Sequence, residues 1–243
     1  PRKSRIEGID EVVFFGLQYF LKKYIIQDFD LHFFKQPKEA VVKKYARRIN
    51  NYLGENQVGT KHIEDLHDLG YIPMVFKALP EGASVPIRVP IFTMYNTIPE
   101  FFWLTNYFET LLSAVIWLPC NSATIAKQYR KVLDKYAEET SSIPEFVDWQ
   151  GHDFSMRGMG GIEAAVTSAA GHLLSFTGSD TIPAIDFFEE YYSANSDTEL
   201  IAGSVAATEH SVMCMGTTEG EYETFKRLIC EVYPKGIVSI VSD

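Results

Sequence analysis

Past residue 145 the chain alternates short apolar runs with helical ones, and this alternation restricts the possible fold more than any other feature. A strand-like segment ends at Phe154 to Arg157, and a Gly-rich turn (Gly158, Gly160, Gly161) opens a helix through Leu174. A short segment over 175–180 leads to a helix over 183–192. A strand near 201–206, His210, a helix over 221–232 and a strand at Ile237 to Val241 follow. Repeated strand–helix units imply a parallel sheet, and in such folds the chemistry sits at the carboxyl ends of the strands. Phe154 with Arg157, Ser179 with Asp180, Glu209 with His210, and Ser242 with Asp243 all follow strand-like pieces. Four polar clusters at equivalent places are expected to converge on one mouth. The pattern is that of the first half of an α/β barrel, with about four units where closure takes about eight. An unclosed half-barrel leaves a raw sheet edge, so the reading expects more chain beyond Asp243.

The preceding region has a different texture. Val12, Phe15, Tyr19 and Leu21 stand near helical spacing and predict an amphipathic helix over Glu11 to Ile26. A second helix is expected over 36–53, with Lys43, Lys44, Arg47 and Arg48 as a solvated basic edge. Residues 71–96 mix Ile72, Val75, Ile87, Val89 and Ile91 with Pro and Gly, which suggests short strands joined by turns such as Pro80-Glu81-Gly82. Glu100 to Leu118 reads as a buried helix, and Asn121-Ser122 as the cap of a following one that runs towards Glu139. Ser141-Ser142-Ile143-Pro144 breaks it. The expected organisation is an N-terminal α+β/helical domain over 1–143 and half of an α/β barrel over 144–243. The fold class is α/β.

Composition narrows the function. A formal charge of −10 argues against nonspecific nucleic-acid binding, which needs a positive footprint. Cys120, Cys214 and Cys230 are odd in number and show no CxxC or finger spacing, which fits reduced thiols in a cytoplasmic protein. No apolar run reaches the roughly 20 residues that a bilayer span needs, and the basic start lacks a signal-peptide core. His62 and His67 are five apart and share no helix face, so no metal site is expected.

The segment 152–180 carries the chemistry. Phe154 is either core or a stacking face for a flat ligand, and Arg157 either an ion-pair partner or a planar fork for a carbonyl or phosphate. Asp180 either caps a helix or accepts a hydrogen bond from an amide NH2 while repelling a carboxylate. His152 and Asp153 stand beside the same mouth. Gly158 to Gly161 matches no phosphate-loop fingerprint and is read as permitting close strand–helix packing.

Beyond these residues, Val13-Phe14-Phe15-Gly16-Leu17-Gln18-Tyr19, Leu79-Pro80-Glu81-Gly82 and the run Asn96 to Thr110 complete a pattern over most of the chain. It resembles the nicotinamide phosphoribosyltransferase family of type II phosphoribosyltransferases. The resemblance implies condensation of nicotinamide with phosphoribosyl pyrophosphate, releasing pyrophosphate. Mg2+ would accompany the pyrophosphate and ATP would serve as activating co-substrate. Phe154 would stack on nicotinamide, Arg157 contact its amide oxygen or the phosphate, and Asp180 hold the amide nitrogen. His210 would accept a phosphoryl group from ATP, Ser204 and Ser239 line the tunnel, and Asp243 contact the ribose or pyrophosphate. A homodimer with shared sites is implied. Ser155-Met156 departs from the family's usual glycine and aromatic residue, and the family's opening segment and later barrel strands lie outside this sequence. The chain is therefore expected to be an internal portion of such an enzyme. Nicotinate phosphoribosyltransferase, or a non-catalytic assembly module, are the alternatives.

Overall fold

The computed structural model describes residues 3–242. They divide into two compact units, one ending at Ala202 and the other starting at Gly203. Asp243, expected to contact the ribose or pyrophosphate, lies outside the described residues.

In the first unit, β1 (Glu11–Val13) is followed by α1 (Leu17–Phe20), which continues as π-helix over Leu21–Asp28 and Asp30–Phe34. A single helix over Glu11 to Ile26 is thus corrected: the first three residues are strand. Gly16, at φ 100°, separates the two elements by taking a backbone conformation that side-chain-bearing residues avoid. α2 (Lys38–Leu53) and α3 (Lys61–Leu69) follow, and Lys43, Lys44, Arg47 and Arg48 are exposed as expected. The predicted short strands are β2 (Met74–Ala78), β3 (Ser84–Pro86) and β4 (Phe92–Asn96). β1 pairs antiparallel with β3, and β2 with β4. Glu81, in the turn between β2 and β3, accepts hydrogen bonds from Gly16 N at 2.8 Å and Gln18 N at 2.5 Å. It thereby satisfies the amides that a helix start leaves unpaired.

The spine of this unit is α4 (Trp103–Thr140), a single helix of 38 residues, about 57 Å long at 1.5 Å per residue. Asn121 and Ser122 do not cap a new helix there, and Pro119 sits inside it. The buried positions Leu104, Phe108, Leu112, Ile116, Cys120, Ala123 and Ala126 recur at three- and four-residue intervals, and the half-buried Arg130 and Leu133 carry the same face on to the buried Ala137. That continuous stripe overrides the local break signals, since the helix draws its stability from the face it buries. The stripe meets successive cores. The first holds Phe14, Phe20, Leu66 and Phe101; the second Val13, Phe15, Tyr19, Phe187 and Tyr191; the third Val147 and Phe176. Each large apolar side chain so buried contributes about 1.5–3 kcal/mol before conformational entropy is counted. Cys120 is inert here: its Sγ donates to Phe15 O at 3.2 Å, and burial pushes its thiol up to about 11.

After α4 a 3-10 segment (Pro144–Trp149) leads to β5 (His152–Asp153), α5 (Ser155–Gly158), α6 (Ile162–His172), β6 (Gly178–Ser179) and α7 (Pro183–Tyr192). β5 and β6 pair in parallel, as the strand–helix alternation implies. The strand ends at Asp153 and not at Phe154 to Arg157, because Ser155 already starts a helical turn. The chain does break at 141–144, yet α6 packs on α4 more extensively than any other pair of elements does. Elements from both sides of 143/144 therefore share one compact unit, and the division falls at 202/203.

The second unit contains β7 (Ala206–Ala207), α8 (His210–Cys214), α9 (Thr217–Arg227), a π-helical turn over Leu228–Val232, and β8 (Val238–Ser239). β7 and β8 are again parallel, with Ala206 opposite Val238 and Ala207 opposite Ser239. The strand expected near 201–206 begins only at Ala206. Mixed helix and short parallel strand pairs are thus established. No closed barrel is present among the described residues.

The closeness of α6 to α4 gives a stability prediction. A Cβ at Gly171 would lie 2.7 Å from Pro119 O and 2.9 Å from Ala123 N, backbone atoms that cannot yield cheaply. Gly171→Ala should lower the unfolding free energy by about 1–3 kcal/mol in urea denaturation. Gly59→Ala, whose Cβ meets nothing within 4 Å, should stay within about 0.5 kcal/mol.

Candidate functional site

The parallel pairing of β5 with β6 sets His152 opposite Gly178 and Asp153 opposite Ser179. Phe154 and Asp180 therefore leave the two strands at matching positions. Asp180 N donates to Asp153 O at 3.0 Å, which carries the register one residue beyond the ladder.

Asp153 is the buried anchor of this arrangement, at 6% exposure. Its carboxylate accepts from Ser155 N at 3.2 Å, from Ser155 Oγ, from Ser179 Oγ at 2.9 Å and from Thr181 Oγ1 at 2.6 Å. Thr181 N in turn donates to Ser179 Oγ at 2.9 Å. A buried carboxylate is tolerated only when its lone pairs are occupied, and here donors from both strand ends occupy them. Sequence reading places Asp153 at the mouth and misses this role. The available signal is the hydroxyl set of Ser155, Ser179 and Thr181 flanking the two strand ends.

Above this anchor the outward-facing groups gather. Phe154 is 59% exposed, which removes it from the core and leaves one face available to a flat ligand. Its ring centroid lies 4.8 Å from that of His152 at a tilt of 42°. His152 Nε2 is 2.7 Å from Asp180 Oδ1. Arg157 is exposed in α5, where its backbone N–H donates to Phe154 O at 3.0 Å. Phe154, His152 and Asp180 are thus brought together by direct contacts, and Arg157 lies one helical turn beyond Phe154. The glycines at 158, 160 and 161 do not serve close packing: a Cβ at any of them meets no described atom within 4 Å. Gly161 is instead required by its φ of 134° just before α6. Close approach occurs elsewhere, at Gly178, where a Cβ would stand 2.5 Å from His152 Nδ1.

His172, the last residue of α6, lies behind the site. Its ring stacks on Phe176 at 5.0 Å, and Nε2 has no hydrogen-bond partner among the described residues. Burial holds its imidazole below the ordinary value near 6.5, against the opposing pull of the Asp153 charge and of the backbone at Gly151 and Gly178.

In the second unit, His210 is the first residue of α8, exposed, and directly follows Glu209 at the helix entry. Glu209 O accepts from Val212 N and Met213 N, each at 3.0 Å. Ser239 is exposed on β8 and its carbonyl accepts from Thr208 N at 3.0 Å. Ser204 is exposed just before β7. Ser239 and His210 therefore fall on or just past strand ends of the β7–β8 pair, in keeping with a site on the carboxyl edge of a parallel ladder. Among the described residues no three His, Cys, Asp or Glu side chains gather as a metal cage. No helix of those residues is long and apolar enough to cross a membrane.

Comparison with known proteins bears out the resemblance read from the motifs. Residues 149–231 match the nicotinate phosphoribosyltransferase (NAPRTase) family model. The nicotinamide phosphoribosyltransferase of Acinetobacter baylyi is 54% identical over 248 residues, covering 100% of this chain and 48% of that protein. The nicotinamide phosphoribosyltransferase of Mycoplasma pneumoniae is 34% identical over 92% of this chain and 49% of its own length. That of Xanthomonas campestris pv. campestris is 31% identical over 99% of this chain and 49% of its own length. The chain spans about half the length of the curated relatives it matches.

Two measurements check the architecture of the site. Asp153→Asn should cost about 1–3 kcal/mol of unfolding free energy, more than Ser179→Ala, because an NH2 in place of one carboxylate oxygen takes the acceptor from both donors bound to that oxygen. Urea midpoints at constant slope read this directly. For His172 the unfolded chain binds a proton before the folded one as pH falls below about 6.5. Its contribution to stability is therefore complete above that pH and is lost as pH falls towards the lowered folded-state value. His172→Phe should flatten the pH dependence of the urea midpoint in that window.

Proposed function

We propose that the polypeptide carrying this chain is a nicotinamide phosphoribosyltransferase, and that the first unit supplies its grip on the base. The observation that carries the reading is the exposed Phe154 ring beside the Asp180 carboxylate at the ends of β5 and β6. In this proposal nicotinamide lies on the outer face of Phe154, and its carboxamide NH2 donates to Asp180. A carboxylate-bearing base at the same place meets the negative charge of Asp180 and is disfavoured. Arg157 donates to the amide oxygen or to a phosphate through its planar fork. The parallel pairs β5–β6 and β7–β8 are then the opening strands of an α/β barrel.

The chemistry asked of these residues is placement. The pyridine nitrogen attacks C1 of the ribose while pyrophosphate departs, and positive charge develops on the sugar. The protein holds base and sugar in line and sets the field around them. Magnesium enters bound to phosphoribosyl pyrophosphate as part of that substrate, since Mg2+ commonly binds through substrate phosphates and retained waters. ATP phosphorylates His210, whose exposed place in the first turn of α8 leaves room for the phosphoryl group. Ser204 and Ser239 line the tunnel, and Asp243 contacts the ribose or pyrophosphate. The enzyme acts as a homodimer in the cytoplasm.

The description of the matching family model favours a second reading, nicotinate as the base. Asp180 argues against it on charge. The test is mononucleotide formation by the full-length polypeptide with phosphoribosyl pyrophosphate, magnesium and ATP, supplied with nicotinamide or nicotinate in parallel. Product from nicotinamide is expected, with a preference that Asp180→Asn reduces by about 10–100-fold, the worth of a hydrogen bond to a charged group. Efficient use of nicotinate by the wild type would replace the proposal with the second reading. Product from neither base would leave a binding or assembly module.

A further inference from the structure

His152 sits between the two groups assigned to the base, and nothing in the proposed chemistry uses it. Its imidazole touches the Phe154 ring at 4.8 Å on one side and the Asp180 carboxylate at 2.7 Å through Nε2. On a third side it lies against Gly178, its partner in the ladder, where a Cβ would come within 2.5 Å of Nδ1 and 3.1 Å of Gly151 O. The imidazole is therefore wedged, and the only residue type that admits it at position 178 is the one with no side chain. Asp180, by contrast, stands at the rim, with 46% of its side chain exposed against 25% for His152. A rim aspartate turns broadly about its last torsion, so the direction of its oxygens is not fixed by its own backbone.

We infer that His152 is a positioning residue that sets the choice of base. Its wedged ring clamps Oδ1 of Asp180 and so turns the carboxylate towards the carboxamide of a ring lying on Phe154. This deepens the reading of Asp180 as the amide acceptor and rests on it. An ionised carboxylate only accepts, so Nε2 carries the proton of this hydrogen bond. An imidazole donating through Nε2 orients Asp180 by one hydrogen bond and neither takes a proton from it nor gives one up to it. The negative charge of the carboxylate is what excludes an acidic base. Phe154 gains as well: the imidazole lies against its ring at a tilt of 42°, which limits the swing of an exposed aromatic. The ligand class is a flat heteroaromatic carboxamide, bound by one stacked face and one oriented acceptor.

The test uses the full-length polypeptide and follows kcat and KM for nicotinamide and nicotinate in His152→Phe, His152→Gln, Gly178→Ala and, as reference, Asp180→Asn. His152→Phe keeps a ring against Phe154 and removes the donor. It should raise KM for nicotinamide about tenfold, the worth of one charge-assisted hydrogen bond, with kcat within about twofold. The preference for nicotinamide over nicotinate should fall in step. His152→Gln retains an N–H donor and should recover most of the loss. Gly178→Ala removes no polar group, yet it should shift KM and preference in the same direction by displacing the imidazole. Wild-type KM and preference in His152→Phe, with both altered in Asp180→Asn, would overturn the role of His152 and leave that of Asp180 standing. An unchanged Asp180→Asn would remove both. A fall in kcat at constant KM would place His152 in the chemical step and overturn positioning. If His152→Phe does not fold, the other pair decides: a shifted Gly178→Ala beside a near-normal His152→Gln supports the clamp, and a wild-type Gly178→Ala overturns it.

Discussion

The backbone of α6 rests directly on the backbone of α4 at Gly171, and the first unit is organised around that contact. A Cβ there would come 2.7 Å from Pro119 O, and on another side of the same proline a Cβ at Gly16 would come 2.9 Å from Pro119 Cγ. Two glycines thus let two other segments reach a helix at the point where its own hydrogen-bond ladder is interrupted. An internal proline weakens a helix by about 3 kcal/mol in isolation. Here it is held by packing from both sides, and Ser122 Oγ adds a hydrogen bond to Ser168 O at 2.5 Å. The position of α6 fixes what flanks it in sequence: α5 with Arg157 before it, and β6 with Asp180 after it. The geometry of the candidate site is therefore set by a helix–helix contact that includes none of its residues.

How much of this is legible in the sequence depends on the length of each element. The helices over 38–53 and 183–192 are long enough for periodicity to reveal them. β5, β6, β7 and β8 have two residues each, too few for any alternation to register. Their existence is readable from the short apolar runs between helices and the polar residues that follow them, but their bounds are not. Asn121-Ser122 misleads because a capping signal is local, while the buried stripe from Leu104 to Ala137 is a property of the whole helix. The reverse error occurs at Glu11 to Ile26, where the 3–4 spacing of Val12, Phe15 and Tyr19 is genuine. A strand followed by a helix buries all three in the same way.

The site shows a similar division between what residue types declare and what contacts declare. Phe154, Arg157, Asp180 and His210 draw attention because each carries an aromatic face, a charge or an imidazole after a strand-like run. Asp153 and Gly178 are quieter. One is a carboxylate whose buried position only the fold reveals, and the other is a glycine whose neighbour lies across a parallel ladder. Residues that contact a ligand announce a chemistry, whereas residues that hold them announce only a geometry. Geometry is not written locally when the partners are 26 or 28 positions apart, as they are for Asp153 with Ser179 and Thr181.

Glu81 has a consequence of another kind. Its carboxylate binds the start of the helix at Gly16 and Gln18, and it also accepts from Tyr192 Oη at 2.7 Å at the far end of α7. One turn residue thus staples segments separated by 65 and 111 positions. During synthesis on the ribosome the first helix emerges long before its acceptor, and the acceptor long before Tyr192. The amides at Gly16 and Gln18 must remain hydrated until the hairpin carrying Glu81 arrives, and the staple closes only when α7 docks. Such a contact adds little to the early stages of folding and much to the barrier against unfolding, because loop closure over long separations comes late. The lifetime of the folded unit is thereby tied to a carboxylate far in sequence from every residue assigned to the base.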